Sequence, residues 1–169
     1  WPCGESGTTL RLLTPLAGVM GFNGRFICEG RLSRRPQMPF EKKTKYVIPG
    51  NVSSQFVSGL LMALPLADWD SEIAVEGKFE SSAYVNLTEN VLKDAGIAIE
   101  KPSPQRWIVH GGQRYAIAGG REVEGDWSQA AFFLAMGAEV DGVCNNSAQG
   151  DRAVVELLDK KVVDASPVP

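Results

Sequence analysis

Two stretches of the chain, Gly50-Asn51-Val52-Ser53-Ser54-Gln55-Phe56 and, 75 positions later, Gly125-Asp126-Trp127-Ser128-Gln129-Ala130-Ala131, carry one local pattern ahead of an apolar run. A glycine, then Asn or Asp, then Ser at the mouth of a helix joins a permissive backbone to capping side chains and unpaired helix N–H groups, a combination that binds anions. Ser53 and Ser54 therefore offer hydroxyls and amides to a phosphate or carboxylate, and Gln55 is set to hydrogen-bond a ligand hydroxyl. The alternative for both serines is a plain helix cap. Asp126 is read first as the cap of its own helix; as a functional residue it would stand beside a bound hydroxyl. Arg31, Arg34 and Arg35 share one turn-like segment, where guanidinium groups clamp carboxylates and phosphates bidentately or lie solvated. Arg11, among Leu10, Leu12 and Leu13, either snorkels or reaches a ligand. His110, the one histidine, has no Ser or Cys nucleophile motif near it and reads as structural. The chain by itself assigns no acid/base pair.

These residues need elements to hold them. Helical spacing of apolar residues behind Glu5-Ser6-Gly7-Thr8 predicts a helix over 7–19. Residues 25–28 read as a short strand, 29–36 as a loop stopped by proline, and 46–48 as a strand ended by Pro49-Gly50. A buried helix is expected over 53–64, a strand over 72–75, and an amphipathic helix over 84–95 with Gly96 just past its end. Strands at 97–100, 107–110 and 115–118 follow, then a helix over 126–136, a strand at 142–144, a helix over 152–160 and a strand at 162–163. The alternation is that of a repeating α/β unit. Gly4-Glu5-Ser6 reads as a degenerate third copy of the repeat start, only 46 positions before Gly50. Against a period of 75, about 29 positions are then missing between Phe40 and Lys45, a shortening that the repeat pattern alone suggests.

Composition narrows the class. A chain that is 44% hydrophobic and 22% charged is ordinary for a globular protein, and a net charge of −3 lacks the basic face of a nucleic-acid binder. Cys3, Cys28 and Cys144 are far apart in sequence and odd in number, which suggests neither a zinc site nor a disulfide framework and fits a reduced, cytoplasmic protein. No run approaches the ~20 apolar residues that cross a bilayer, and no leader is visible. The chain opens at Trp1, so the natural start is expected upstream.

Six segments, Gly4 to Arg11, Glu29 to Pro36, Gly50 to Phe56, Ser81 to Tyr84, Val123 to Ser128 and Gln149 to Ala153, stand in the order seen in 5-enolpyruvylshikimate-3-phosphate (EPSP) synthases, and together they resemble that family more closely than the related UDP-N-acetylglucosamine enolpyruvyl transferases. The resemblance implies an incomplete inside-out α/β barrel of repeated βαβαββ units, with residues 1–122 as part of the shikimate-3-phosphate-binding domain and 123–169 as the start of a second. It implies enolpyruvyl transfer from phosphoenolpyruvate to shikimate 3-phosphate, without metal or organic cofactor, by a monomer with no nucleic-acid or membrane partner. By motif match, Ser53, Ser54 and Ser81 would hold the shikimate phosphate, Gln55 the substrate hydroxyls or the intermediate, and Tyr84 would line the shikimate pocket. Arg35 would grip phosphoenolpyruvate, with Gly7 giving backbone approach and Thr8 and Arg11 supporting that wall. Asp126 would lie near the shikimate moiety.

The departures are also informative. Position 5 is Glu where many members have Asn, and the family's N-terminal Lys-Ser and Arg motif and its second-domain proton-moving residues have no counterparts here, so no catalytic residue is assigned. Three readings follow: a transferase represented in part, a truncated module that binds shikimate 3-phosphate without turning it over, and a small structural domain in which every cap is only a cap.

Overall fold

The computed structural model describes residues 1–35, 37–79, 81–117, 119–120 and 122–158. Two compact units divide the chain, Trp1–Ile117 and Ala118–Pro169.

The first unit opens with β1 (Pro2–Gly4), α1 (Gly7–Val19) and β2 (Ile27–Cys28), with β1 and β2 paired in parallel. Ser6 caps α1, its hydroxyl accepting the Thr9 N–H at 3.2 Å. The expected loop after β2 contains a 3-10 turn over Gly30–Arg34, which buries Leu32 and leaves its arginines outward. β3 (Lys45–Pro49), α2 (Gln55–Ala63), β4 (Ser71–Glu76), α3 (Ser82–Asp94), β5 (Ile99–Ser103) and β6 (Arg106–Val109) then form one βαβαββ unit. Its sheet runs in the order β3-β4-β6-β5, with β3 and β4 parallel and the other pairs antiparallel. The mixed α/β class read from the sequence is the class observed.

Alternation in β3 and β4 turns Tyr46, Ile48, Ile73 and Val75 inward, where they meet Val57, Leu60 and Leu61 of α2 and Val85 and Leu92 of α3. Trp107 is fully buried in this core and its indole N–H donates to the Glu89 carboxylate at 2.5 Å. Lys101 pairs with the same carboxylate at 2.7 Å, so the one polar atom of a buried ring is satisfied by a partner that is itself neutralised. Just past β6, His110 bridges Asp70 (3.0 Å) and Glu100 (3.1 Å).

α1 lies across α2 at Gly59. A Cβ there would stand 2.5 Å from the Arg11 carbonyl oxygen and 3.1 Å from the Pro15 ring, so the two backbones touch where no side chain fits.

Two expected strands are absent. Residues 115–117 are irregular, with Ala118 outside the described residues: the Ala116 N–H donates to the Ala95 carbonyl (2.8 Å) and the Tyr115 hydroxyl to the Met62 carbonyl (2.5 Å), so the segment is tied to helix ends rather than to a ladder. Residues 142–144 are irregular too; Gly142 has φ +82° and its carbonyl accepts the Gly125 N–H. In the second unit α4 (Trp127–Ala135) matches expectation, whereas the helix expected over 152–160 starts as a 3-10 turn (Gly150–Ala153) and continues as α5 (Val154–Leu158). The strand expected at 162–163 lies outside the described residues.

Gly59→Ala tests the α1–α2 contact because two effects oppose each other. Helix propensity favours alanine by about 1 kcal/mol, whereas overpacking of a filled contact costs about 1–3 kcal/mol. With the Arg11 carbonyl, a backbone atom, in the way, the clash wins: the urea midpoint is expected to fall at unchanged slope, and a rise would show that the helices separate freely.

Candidate functional site

The Gly-Asn-Val-Ser-Ser turn delivers its serines because Gly50 is pressed flat. Its N–H donates to the Glu76 carbonyl at 2.6 Å, and a Cβ would stand 2.5 Å from the Lys78 carbonyl oxygen. Gly125, at the matching position of the second pattern, donates to the Gly142 carbonyl at 2.8 Å and is crowded by it in the same way. Both glycines thus serve close backbone approach, the demand that excludes every other residue.

Beyond Gly50 the chain enters α2. Ser54 occupies the N-cap position of α2 and Ser81 that of α3, yet neither hydroxyl caps its own helix. Ser53 accepts the Gln55 N–H at 3.3 Å. Ser53, Ser54, Gln55, Ser81, Tyr84 and Thr8 line one cleft of about 600 Å³, floored by Leu12, Met62 and Leu87. Ser54 is buried there. Two helix N-termini, each carrying about half a positive charge, therefore meet hydroxyl donors over an apolar floor, and among the described residues no acidic side chain lines the cleft. Such an arrangement suits an anion carrying further hydroxyl groups.

Gln55 is held from both ends. Its Oε1 accepts from Arg11 Nη1 at 2.9 Å and its Nε2 donates to the Thr8 hydroxyl at 2.7 Å, while the Arg11 guanidinium lies over the Phe56 ring at 5.2 Å. Gly7 makes room for that guanidinium, since a Cβ would stand 3.2 Å from Arg11 Nη1. Arg11 thus acts through Gln55, orienting its amide. Arg31, Arg34 and Arg35 are exposed on the 3-10 turn and its exit, and none of them lines the cleft.

Two cleft residues escaped the sequence reading, Ser58 and Thr88, whose hydroxyls share a hydrogen bond at 2.8 Å. Their signal is helical spacing: Ser58 stands four residues after Ser54, and Thr88 four after Tyr84, on the faces those residues already mark.

Asp126 does cap its helix. Its carboxylate accepts the Ser128 N–H (2.8 Å) and the Ser128 hydroxyl (2.7 Å), and these hydrogen bonds hold its pKa below the ordinary aspartate value. Gln149 completes the turn by accepting the Trp127 N–H at 2.9 Å and donating to Glu124 and the Gly125 carbonyl.

A sequence profile of the EPSP synthases, described as 3-phosphoshikimate 1-carboxyvinyltransferase, matches residues 36–165. The chain belongs to the EPSP synthase family. Among curated EPSP synthases, the 3-phosphoshikimate 1-carboxyvinyltransferase of Clostridium beijerinckii is 36% identical over 188 residues, covering 94% of this chain and 43% of the relative, and that of Clostridium kluyveri is 37% identical over 92% and 43%. The chain thus spans less than half the length of the curated relatives it matches. Because 94% of 169 residues is about 159, the 188-residue match to the C. beijerinckii enzyme leaves about 29 positions without a counterpart here. An EPSP synthase structure from Acinetobacter baumannii superposes with a TM-score of 0.68 over 94% of this chain and 41% of its own, at 22% identity, which places the fold in part of the EPSP synthase architecture. Among the described residues no helix is long and apolar enough to cross a membrane.

The Asp126 cap carries a pH signature. Asp126→Ala is expected to lower the thermal stability of the second unit at neutral pH. Because the folded pKa is depressed, this contribution is complete above the ordinary value of 3.8 and is lost as the pH falls through the lower folded value. The gap between the two proteins should therefore close on acidification; a gap of constant size down to the acid limit would show that the carboxylate charge is not what caps α4.

Proposed function

We propose that the cleft between α2 and α3 is the shikimate 3-phosphate site of an EPSP synthase, where the enolpyruvyl group of phosphoenolpyruvate is transferred to the substrate 5-hydroxyl and phosphate is released. The observation that carries this reading is a pair of N-cap serines whose hydroxyls make no cap bond: Ser54 and Ser81 head two helices and line one cleft with Ser53. A phosphate there takes hydroxyl and amide donors from both helices, and Gln55, fixed by Arg11 and Thr8, meets a ring hydroxyl. Tyr84 lines the ring side of the cleft.

Both substrates are anions, so they react only where fixed donors offset their repulsion. In this reading Arg35, with the backbone at Gly7, receives phosphoenolpyruvate, and Thr8 and Arg11 support that wall. The molecule works in the cytoplasm as a monomer. The 169 residues by themselves bind shikimate 3-phosphate without turning it over, a reading favoured by their span of 43% of the C. beijerinckii relative. We place the internal shortfall between Phe40 and Lys45, where β1–α1–β2 stops halfway through a βαβαββ unit and β3 begins the next.

Calorimetry on the 169-residue chain tests the assignment. Ser53→Ala combined with Ser54→Ala is expected to weaken shikimate 3-phosphate by about 2–4 kcal/mol, the worth of two hydrogen bonds to a charged group, and phosphoenolpyruvate by less. Equal losses for both ligands would overturn the site assignment, and steady phosphate release would overturn the inactivity of the chain alone.

A further inference from the structure

The three cysteines are dispersed in sequence, but the fold brings two of them together. β1 and β2 pair in parallel with a bulge: Pro2 faces Ile27 and Gly4 faces Cys28, so Cys3 is the extra residue opposite the Ile27–Cys28 step. Backbone hydrogen bonds close the ladder on both sides, Ile27 N–H to the Trp1 carbonyl at 2.8 Å and Glu29 N–H to the Gly4 carbonyl at 2.7 Å. Ile27 faces solvent, whereas Cys28 turns inward and packs against the cluster of Cys3, Leu10 and Leu32. Neither cysteine is in a disulfide; the Cys3 thiol donates to the Trp1 carbonyl at 3.9 Å, and both side chains belong to one small apolar cluster on adjacent strands. Neighbouring strands lie about 4.8 Å apart, within the usual ~4.4–6.8 Å between the Cα atoms of disulfide-bonded cysteines.

We propose that Cys3 and Cys28 form a redox-active dithiol that closes to a disulfide across the β1–β2 ladder. With a disulfide oxidant such as oxidised glutathione, the more accessible Cys28 thiolate attacks one oxidant sulfur and releases one glutathione thiolate. The Cys3 thiolate then attacks the Cys28 sulfur and releases the second glutathione, so the protein loses two hydrogens and the oxidant is reduced to two thiols. Burial, with Cys28 beside it, holds the Cys3 thiol above its ordinary pKa, so the second step speeds up as the pH rises. The bond staples the two strands that lead into Gly4-Glu5 and into the Glu29–Arg35 turn, where Glu5 Oε1 already accepts the Arg31 N–H at 3.3 Å. The thiol chemistry is independent of which ligand that turn binds.

The full chain carrying Cys144→Ser isolates the pair. Incubated folded in a glutathione redox buffer, quenched and mapped without reduction, it is expected to lose both maleimide-reactive thiols, to gain no glutathione and to yield a linked Cys3–Cys28 peptide. The cross-linked fraction should be at least about tenfold higher than for the same chain in urea, where only tethered encounter brings the thiols together. Two free thiols after equilibration, glutathione retained on Cys28 beside a reduced Cys3, or equal cross-linking in the folded and unfolded chains would each overturn the proposal.

Discussion

The contact of α1 with α2 at Gly59 sets everything around the cleft. Four residues before Gly59, one turn back along the same face, stands Gln55, so the register that seats Gly59 on Arg11, Leu12 and Pro15 also brings the Gln55 amide to Arg11 and Thr8. Sliding α2 by one turn would break both hydrogen bonds and drive a side chain into the α1 backbone. The cleft is therefore positioned by packing, and its polar groups inherit their geometry from an apolar contact. The sheet supports this from below, since α2 and α3 cover the same face of β3-β4-β6-β5 and their N-termini emerge side by side.

The two Gly-(Asn/Asp)-x-Ser turns share a backbone and differ in chemistry. Gly50 and Gly125 are both pressed onto a carbonyl of another segment, and in each turn a side chain accepts the N–H two residues on, the Ser53 hydroxyl that of Gln55 and the Asp126 carboxylate that of Ser128. They differ in the group beside that bond: the Ser54 hydroxyl makes no cap bond and lines the cleft, whereas the Asp126 carboxylate also accepts the Ser128 hydroxyl. The local pattern thus dictates how the chain enters a helix, and the group beside the cap decides whether a hydroxyl is left for a ligand.

Helices were the most legible part of the sequence because their apolar spacing extends over several turns: α1 runs from Gly7 to Val19 as the periodicity predicts, and α3 ends at Asp94, two residues before Gly96. Short strands were less so. Tyr115–Ile117 and Gly142–Cys144 are β-prone in composition, but their hydrogen bonds go to Ala95, Met62, Gly125 and Trp127, partners that no local pattern announces. β1 escaped notice because its three residues, one a proline, carry no alternation and depend on a partner more than twenty positions away. The cleft was half legible: the serine motif marked Ser53 and Ser54, whereas the meeting of the α2 and α3 starts in one cleft and the proximity of Cys3 to Cys28 arise only from tertiary pairing.

The most direct test of the account is an amide-resolved NMR titration of this chain with shikimate 3-phosphate. If the cleft at the α2 and α3 starts is the site, the largest shift changes fall at Thr8, Ser53–Gln55 and Ser81–Thr88, while the amides of the Met38–Lys45 segment and of the capped α4 start stay in place. Saturable changes centred on Met38–Lys45, with the α2 and α3 starts unmoved, would contradict it.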